Sequence, residues 1–327
     1  MFCPRLDHFV RLNQDGSVGK CGHMVNAKGF ESFEEMERSE WIKGIRDTMS
    51  EDRWPDECVR CQQSERVKGE SIRTNSIVRH KMLHPIRKDY LIVGGVLDNV
   101  CNSACQSCNE NLSTKIGSLS SKNYPRIDNY KVFTKLPQDR IIELDVNGGE
   151  PTTSRNYKKI LAELPASVKI VRMNTNGSRI INEIEDVLKK NIMVIVTMSL
   201  DGIGHVHDYT RWPIKWNDYK KTVDAYLDLK KTYRLLQLDM WTTVSCLNVR
   251  TLPDIINYAS HKAIPHDWAF LNQPSVLNVR YTNRFTKKAK HISPKHIAVD
   301  KNNDELLNDF IARQDRLRSI NIKDYLL

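Results

Sequence analysis

No stretch of this chain approaches the ~18 uninterrupted apolar residues of a membrane-spanning helix. The longest apolar runs, such as Met193–Val196, are strand-sized. The N-terminus, MFCPRLDHFVRLNQDG, lacks the apolar segment of a secretory signal. Internal repeats and low-complexity tracts are missing as well. These absences speak against a membrane partner and lead to the expectation of a cytoplasmic protein. Neither sign of charge dominates: 50 Lys+Arg stand against 40 Asp+Glu, a net +10 that suits an acidic ligand, a nucleic acid or a merely solvated basic surface. With 40% hydrophobic and 8% aromatic residues, the 327-residue chain is not disordered and can bury a core in one large α/β domain or two smaller ones.

What is present in excess is cysteine. Cys3, Cys21, Cys58, Cys61, Cys101, Cys105 and Cys108 all lie in the first third, and only Cys246 stands apart. Eight cysteines so clustered, in a reducing compartment, read as metal ligation and not as a disulfide framework.

From about residue 90, short β-rich segments alternate with helical ones, which predicts parallel strands and crossover helices. Strands are expected near 91–97, 141–146, 168–174, 192–199, 237–246 and 267–272. Amphipathic stripes lie between them, such as Tyr157, Ile160, Leu161 and Leu164. Alternation then separates two architectures. Glu143, Asp145 and Asn147 share one face of their strand, and so do Arg172 and Asn174, Thr197, Ser199 and Asp201, and Thr243 and Ser245. A doubly wound sheet is covered on both faces and should be apolar on both. One polar face repeated on four strands predicts a partial (β/α)6 TIM-like barrel with a polar lumen. Residues 90–275 are assigned to it.

Residues 1–89 do not follow this rhythm. They carry a turn signal at Asn13-Gln14-Asp15-Gly16 and a helical face of Trp41, Ile42, Ile45 and Met49. They read as a small cysteine-rich module held by its metal more than by its core. Residues 276–327 combine a basic run (Arg280, Arg284, Lys287, Lys288, Lys290, Lys295) with a helix near 304–318. The run is a solvated loop or a grip on an acidic substrate.

Cys101-Asn-Ser-Ala-Cys105-Gln-Ser-Cys108 follows the first of the six strands. Three thiolates at this spacing can each bind one iron of a cubane and leave the fourth iron open. With a ligand borrowed from elsewhere they could instead hold zinc. This CxxxCxxC motif resembles the signature of the radical S-adenosylmethionine (SAM) superfamily. Asn147-Gly148-Gly149-Glu150-Pro151 resembles that family's GGEP motif, and Asn174-Thr175-Asn176-Gly177 and Ser199-Leu200-Asp201-Gly202 resemble its later strand ends. The resemblance spans about residues 1–275.

It implies a [4Fe–4S] cluster on Cys101, Cys105 and Cys108 that binds SAM and cleaves it reductively to a 5′-deoxyadenosyl radical, which abstracts hydrogen from a substrate. Asn147, Gly148, Gly149, Glu150, Pro151, Asn174, Ser199, Asp201 and Arg211 are the implied cosubstrate contacts, with Glu150 facing the methionine ammonium and Arg211 a candidate for its carboxylate or a surface arginine. Glycines there let the backbone approach a ligand closely.

Cys3, Cys21, Cys58 and Cys61 resemble the auxiliary-cluster SPASM/twitch class, placed here before the barrel. They imply a second, closed [4Fe–4S] cluster; a four-cysteine zinc site shares the same pattern. The implied partners are a reductase or flavodoxin-type electron donor and a peptide or small-molecule substrate. Glu143, Asp145, Arg172, Thr243 and Ser245 are the substrate-side residues expected from alternation. His205 and His207 could be a metal pair, but more simply face solvent or substrate, and Cys246 reads as a core thiol. The competing class is a non-enzymatic zinc protein that binds nucleic acid. It calls for basic residues interleaved with exposed aromatics, and no such stripe occurs.

Overall fold

The computed structural model describes residues 1–120, 123–280 and 304–326. Eight strands form one sheet: β1 (Phe9–Leu12), β2 (Val18–Gly19), β3 (Leu91–Val96), β4 (Ile141–Asn147), β5 (Ile170–Thr175), β6 (Met193–Ser199), β7 (Leu236–Val244) and β8 (His266–Phe270). Their order is β2-β1-β3-β4-β5-β6-β7-β8, and every pairing is parallel except the β1–β2 hairpin. From β3 onward each crossover steps to the next strand in the same direction. A doubly wound sheet reverses direction; this one does not. Right-handed crossovers that always step the same way place their helices on one face.

That face is the core. Val10, Val93, Leu144, Val171, Val194 and Leu236 lie side by side across six strands and pack on Tyr157, Ile160, Ile184, Val187, Val223 and Ile255 of the helices. The opposite face carries Asp145, Arg172, Asn174, Thr197, Asp239 and Thr243, as alternation predicted. Its N-terminal end departs from that expectation: Phe9, Ile92 and Ile142 pack there with Leu83 and Tyr90 as an apolar plug.

Residues 1–89 are tied more closely to the rest than a metal-held module would be. β1 pairs with β3 in parallel register, and Val10, Leu12, Val18, Phe30, Phe33, Met36 and Ile42 belong to the main core. The predicted turn is the β1–β2 connection, where the Asn13 N–H donates to the Ser17 carbonyl at 2.9 Å. Helix Ile72–Leu83, capped by Ser71, contributes only Leu83 to the buried set. Its Arg79 reaches the polar face of β4.

At the other end, helix Asp304–Arg318 matches the predicted boundary and buries Leu307 and Ile311 against Tyr209, Cys246, Leu247 and Leu277. Cys246 is thus the core thiol expected. Of the basic run, Arg280 is exposed and its backbone N–H donates to Asn278 Oδ1. Arg284, Lys287, Lys288, Lys290 and Lys295 lie outside the described residues. Among the described residues, no helix is long and apolar enough to cross a membrane.

Candidate active site

The C-terminal ends of the strands open into a cleft of about 1030 Å³. The loop after β3 supplies Cys101, Cys105 and Cys108. The β4 end supplies Asn147, Gly148, Gly149 and Glu150, and β5, β6 and the following loop add Asn174, Ser199 and Arg211. Ten of the predicted residues therefore meet in one place. Pro151 and Asp201 do not line the cleft. Pro151 is buried behind it. Asp201 accepts the Thr243 N–H at 2.8 Å and stands 3.4 Å from Arg211 Nε, so it orients Arg211 instead of touching the cleft.

The cysteine loop is fixed by polar residues that sequence reading passed over. Asp98 accepts the Val100 N–H at 3.1 Å and the Ser154 hydroxyl at 2.5 Å. Asn99 accepts the Ile127 N–H and donates to the Pro125 carbonyl at 2.7 Å. Ser103 Oγ stands between two thiols, 3.4 Å from Cys101 Sγ and 3.5 Å from Cys105 Sγ. Asn176 donates to Asn102 Oδ1 at 2.8 Å, tying the β5 end to the loop. Asp98 and Asn99 immediately precede the motif, which was the available signal.

The glycines serve a purpose other than approach to a ligand. Gly149 has φ +52°, and a Cβ there would lie 2.3 Å from the Val100 carbonyl oxygen. Gly148 has φ +96°, and its Cβ would meet Val96 at 2.5 Å. Both positions favour glycine by conformation and by space, because the β4 end presses on the backbone leading to Cys101.

Glu150 is buried, and its carboxylate accepts from Thr175 Oγ1 at 2.8 Å, the Asn176 N–H at 2.6 Å and the Thr152 N–H at 3.1 Å. Burial still pushes its pKa up despite these three donors. Arg211 is 9% exposed, which overturns the surface alternative. Its Nη1 donates to Cys105 Sγ at 3.3 Å. Burial alone would lower its pKa, but Cys105 and Asp201 more than offset that and hold the guanidinium charged.

Burial, followed by the nearby Cys105, raises the pKa of Cys101. The same causes push Cys108 up to about 12. Thiolates that disfavour one another in this way are what a bound cationic centre relieves.

The four N-terminal cysteines also meet. Cys3, Cys21, Cys58 and Cys61 line a separate, small pocket with Trp54 and Met49. Burial raises Cys3 to about 11 and Cys58 to about 12, with the neighbouring thiols adding to both. Among the described residues, no three His, Cys, Asp or Glu side chains converge tightly enough for a single metal ion.

Of the residues expected on the substrate side, Glu143, Asp145 and Arg172 cluster on the polar face. Glu143 is wholly buried and accepts from Arg172 Nε at 2.7 Å and Arg79 Nε at 2.6 Å. Arg79, 64 positions away, was not foreseen. Thr243 is half-buried on the same face. Ser245 departs from the expectation: β7 ends before it, and its N–H donates at 2.7 Å to Asn248 Oδ1 in a buried turn.

His207 is not a surface group, and among the described residues it belongs to no converging group of metal-ligating side chains. It is fully buried against the stacked rings of Trp216 and Tyr219, with centroids at 5.6 and 4.7 Å. Burial first, and then Arg211, lowers its pKa to about 3. The unfolded chain binds a proton near pH 6.5 that the folded chain refuses, so stability is lost as pH falls from about 6.5 toward 3. At pH 5 this costs about 2 kcal/mol. Denaturant titrations at pH 7 and pH 5 should show His207→Phe losing correspondingly less stability than the unaltered protein. His205 is exposed.

A second stability prediction concerns Arg318, 4% exposed at the end of helix Asp304–Arg318. Its Nε donates to the Ala104 carbonyl at 2.8 Å and its Nη2 to the Cys105 carbonyl at 3.3 Å, bracing the cysteine loop from outside. Arg318→Met should cost about 2 kcal/mol in chemical denaturation, because two buried carbonyls lose a charged donor. Hydrogen exchange should quicken in residues 304–326.

No protein-family model and no curated protein matches this chain. Among solved structures, it is similar to Streptococcus suis SuiB bound to S-adenosylmethionine, at 12% identity and TM-score 0.43, over 96% of this chain and 71% of that one. SuiB bound to its precursor peptide SuiA gives 12% and 0.43 over 97% and 70%. SuiB with neither ligand in its description gives 11% and 0.39 over 96% and 69%. Overlaps at this level establish neither the fold family nor the activity of the present chain.

Proposed function

We propose that this protein is a radical SAM enzyme built on a partial (β/α)6 barrel, with a second, four-cysteine cluster site in its N-terminal part. Its substrate is a peptide or a polar small molecule, and its electrons come from a reductase or flavodoxin-type donor. The observation that carries the reading is the gathering of Cys101, Cys105 and Cys108 with Glu150, Asn174, Ser199 and Arg211 around one cleft at the strand C-termini. Strand C-termini are where barrels of this kind bind their ligands.

When bound, a [4Fe–4S] cluster with one open iron supplies chelation of SAM and the electron that splits it into methionine and a 5′-deoxyadenosyl radical able to take hydrogen from the substrate. The chain's own residues hold and orient. Cys101, Cys105 and Cys108 are the cluster ligands. Glu150, preorganised by three donors, faces the methionine ammonium as a fixed anion. Arg211 places one guanidinium arm on Cys105 and, with its other donors, suits the methionine carboxylate. Asp201 sets that arginine's position. Cys3, Cys21, Cys58 and Cys61 are the ligand set for the closed second cluster.

Anaerobically reconstituted protein given SAM and dithionite should form 5′-deoxyadenosine, and only when the reductant is present. Reconstituted protein that binds iron but forms none would refute the reading.

A further inference from the structure

Beside the polar face of the sheet lies a cleft of about 760 Å³, whose walls include Arg5, Arg79, Arg172, Val78 and Met82. Arg5 and Ile72 also line the four-cysteine pocket, so the two spaces are neighbours that share a wall. None of the residues lining the cleft is acidic. Two carboxylates stand behind it on β4, and they are already engaged. Glu143 takes Arg79 and Arg172, and Asp145 lies 3.7 Å from Arg79 Nη1.

Three guanidiniums therefore face two carboxylates, and Arg5 is the one that makes no close pair with either. Among the described residues its guanidinium has no hydrogen bond or ion pair, although its Nε is fully buried. Its closest contact is a ring: Cζ stands 3.5 Å from the centroid of Phe9, and the Asp145 carboxylate acts on it only through space. A buried donor without an acceptor is an unfavourable arrangement in a native protein.

We propose that this cleft is a carboxylate-binding site and that Arg5 is its anchor, receiving a substrate acid carried beside an apolar group. Val78 and Met82, 61% and 67% exposed on the rim, supply the apolar contact. The inference rests on the proposed function for the identity of the cleft as a substrate site. The position fits that role. Arg172 and Asp145 lie two residues before Asn174 and Asn147 on the same strand faces, ~7 Å from the cosubstrate cleft. On its other side the site meets the four cysteines. A substrate held by its acid at Arg5 thus lies between the two cysteine sites.

Four probes test this by ligand-observed NMR on the full reconstituted chain: acetyl-Leu-Glu-amide, acetyl-Leu-Gln as the free acid, 4-methylpentanoate and the neutral acetyl-Leu-Gln-amide. At least one acid should bind saturably, about ten-fold tighter than the neutral probe, as expected of a charge-assisted contact. The acid preferred tells whether the carboxylate comes from a side chain, a peptide terminus or a small acid. Arg5→Gln should abolish the preference, and Arg5→Lys should restore part of it. Equal binding of acids and amide, no saturable binding of any acid, or a preference unchanged in Arg5→Gln would overturn the proposal. The acid–amide comparison in the unaltered protein decides even if Arg5→Gln fails to fold. SAM cleavage is measured on the same preparation. Acid preference without SAM cleavage refutes the function and leaves the site standing; cleavage without acid preference does the reverse.

Discussion

Replacing Cys101 with alanine is expected to lower 5′-deoxyadenosine formation by more than ~100-fold. Loss of a residue that merely hydrogen-bonds to a metal ligand already costs up to that factor, and Cys101 is one of only three thiolates at the cleft. Replacing Cys58 should act differently. It lines the separate pocket with Cys3, Cys21 and Cys61, in another part of the fold. Its loss should spare SAM cleavage while reducing substrate-derived product. Both readouts come from one reaction mixture, by chromatography of 5′-deoxyadenosine and of product. Equal loss of both in the two variants would refute the division of labour between the sites.

Glu150→Gln is expected to weaken SAM binding by roughly 30- to 4000-fold, the consequence of removing one partner of a buried charge pair at ~2–5 kcal/mol. The change keeps size and shape: the amide oxygen can keep the Thr152 and Thr175 donors, while its NH2 would face the Asn176 N–H, donor against donor, and lose that bond. A pH dependence accompanies it. Burial raises the pKa of Glu150, and the ionised form is the one that pairs with an ammonium. SAM affinity should therefore fall as pH drops through that raised value, at pH values where an ordinary carboxylate is still charged. Folding responds with the opposite sign. A carboxyl whose pKa is higher folded than unfolded favours the folded state at low pH, and loses that contribution as pH rises through the raised pKa. Equilibrium dialysis of labelled SAM across pH, for both proteins, separates the two effects. Affinity that is independent of pH and indifferent to Glu150→Gln would remove Glu150 from the site.

Much of this was legible in sequence because it depends on short periods. Strand alternation placed Glu143, Asp145 and Arg172 on one face, and β3 to β8 fall within about two residues of their expected starts. The six strands after residue 90 are long enough for a period of two to repeat. β1 and β2, of four and two residues, are not. Their strand character comes from pairing with β3 and with each other, which no local window contains. For the same reason residues 1–89 read as a separate module when they share the main core. Long-range partners were equally hidden: Arg79 on Glu143, Arg318 on the Ala104 and Cys105 carbonyls, and His207 closed off by Trp216 and Tyr219. Parity also fails where a strand stops. Ser245 continues the alternation on paper, but β7 ends at Val244 and the chain turns. Residues from four separate strand ends meet at one cleft, because parallel strands deliver their C-termini to the same edge of the sheet.

Metal analysis of anaerobically reconstituted protein, with its absorption spectrum and a SAM-cleavage assay on the same sample, tests the account most directly. The account predicts about eight irons per chain, charge-transfer absorption, and 5′-deoxyadenosine formed only with reductant. Colourless protein carrying zinc alone, and inert toward SAM, would contradict it.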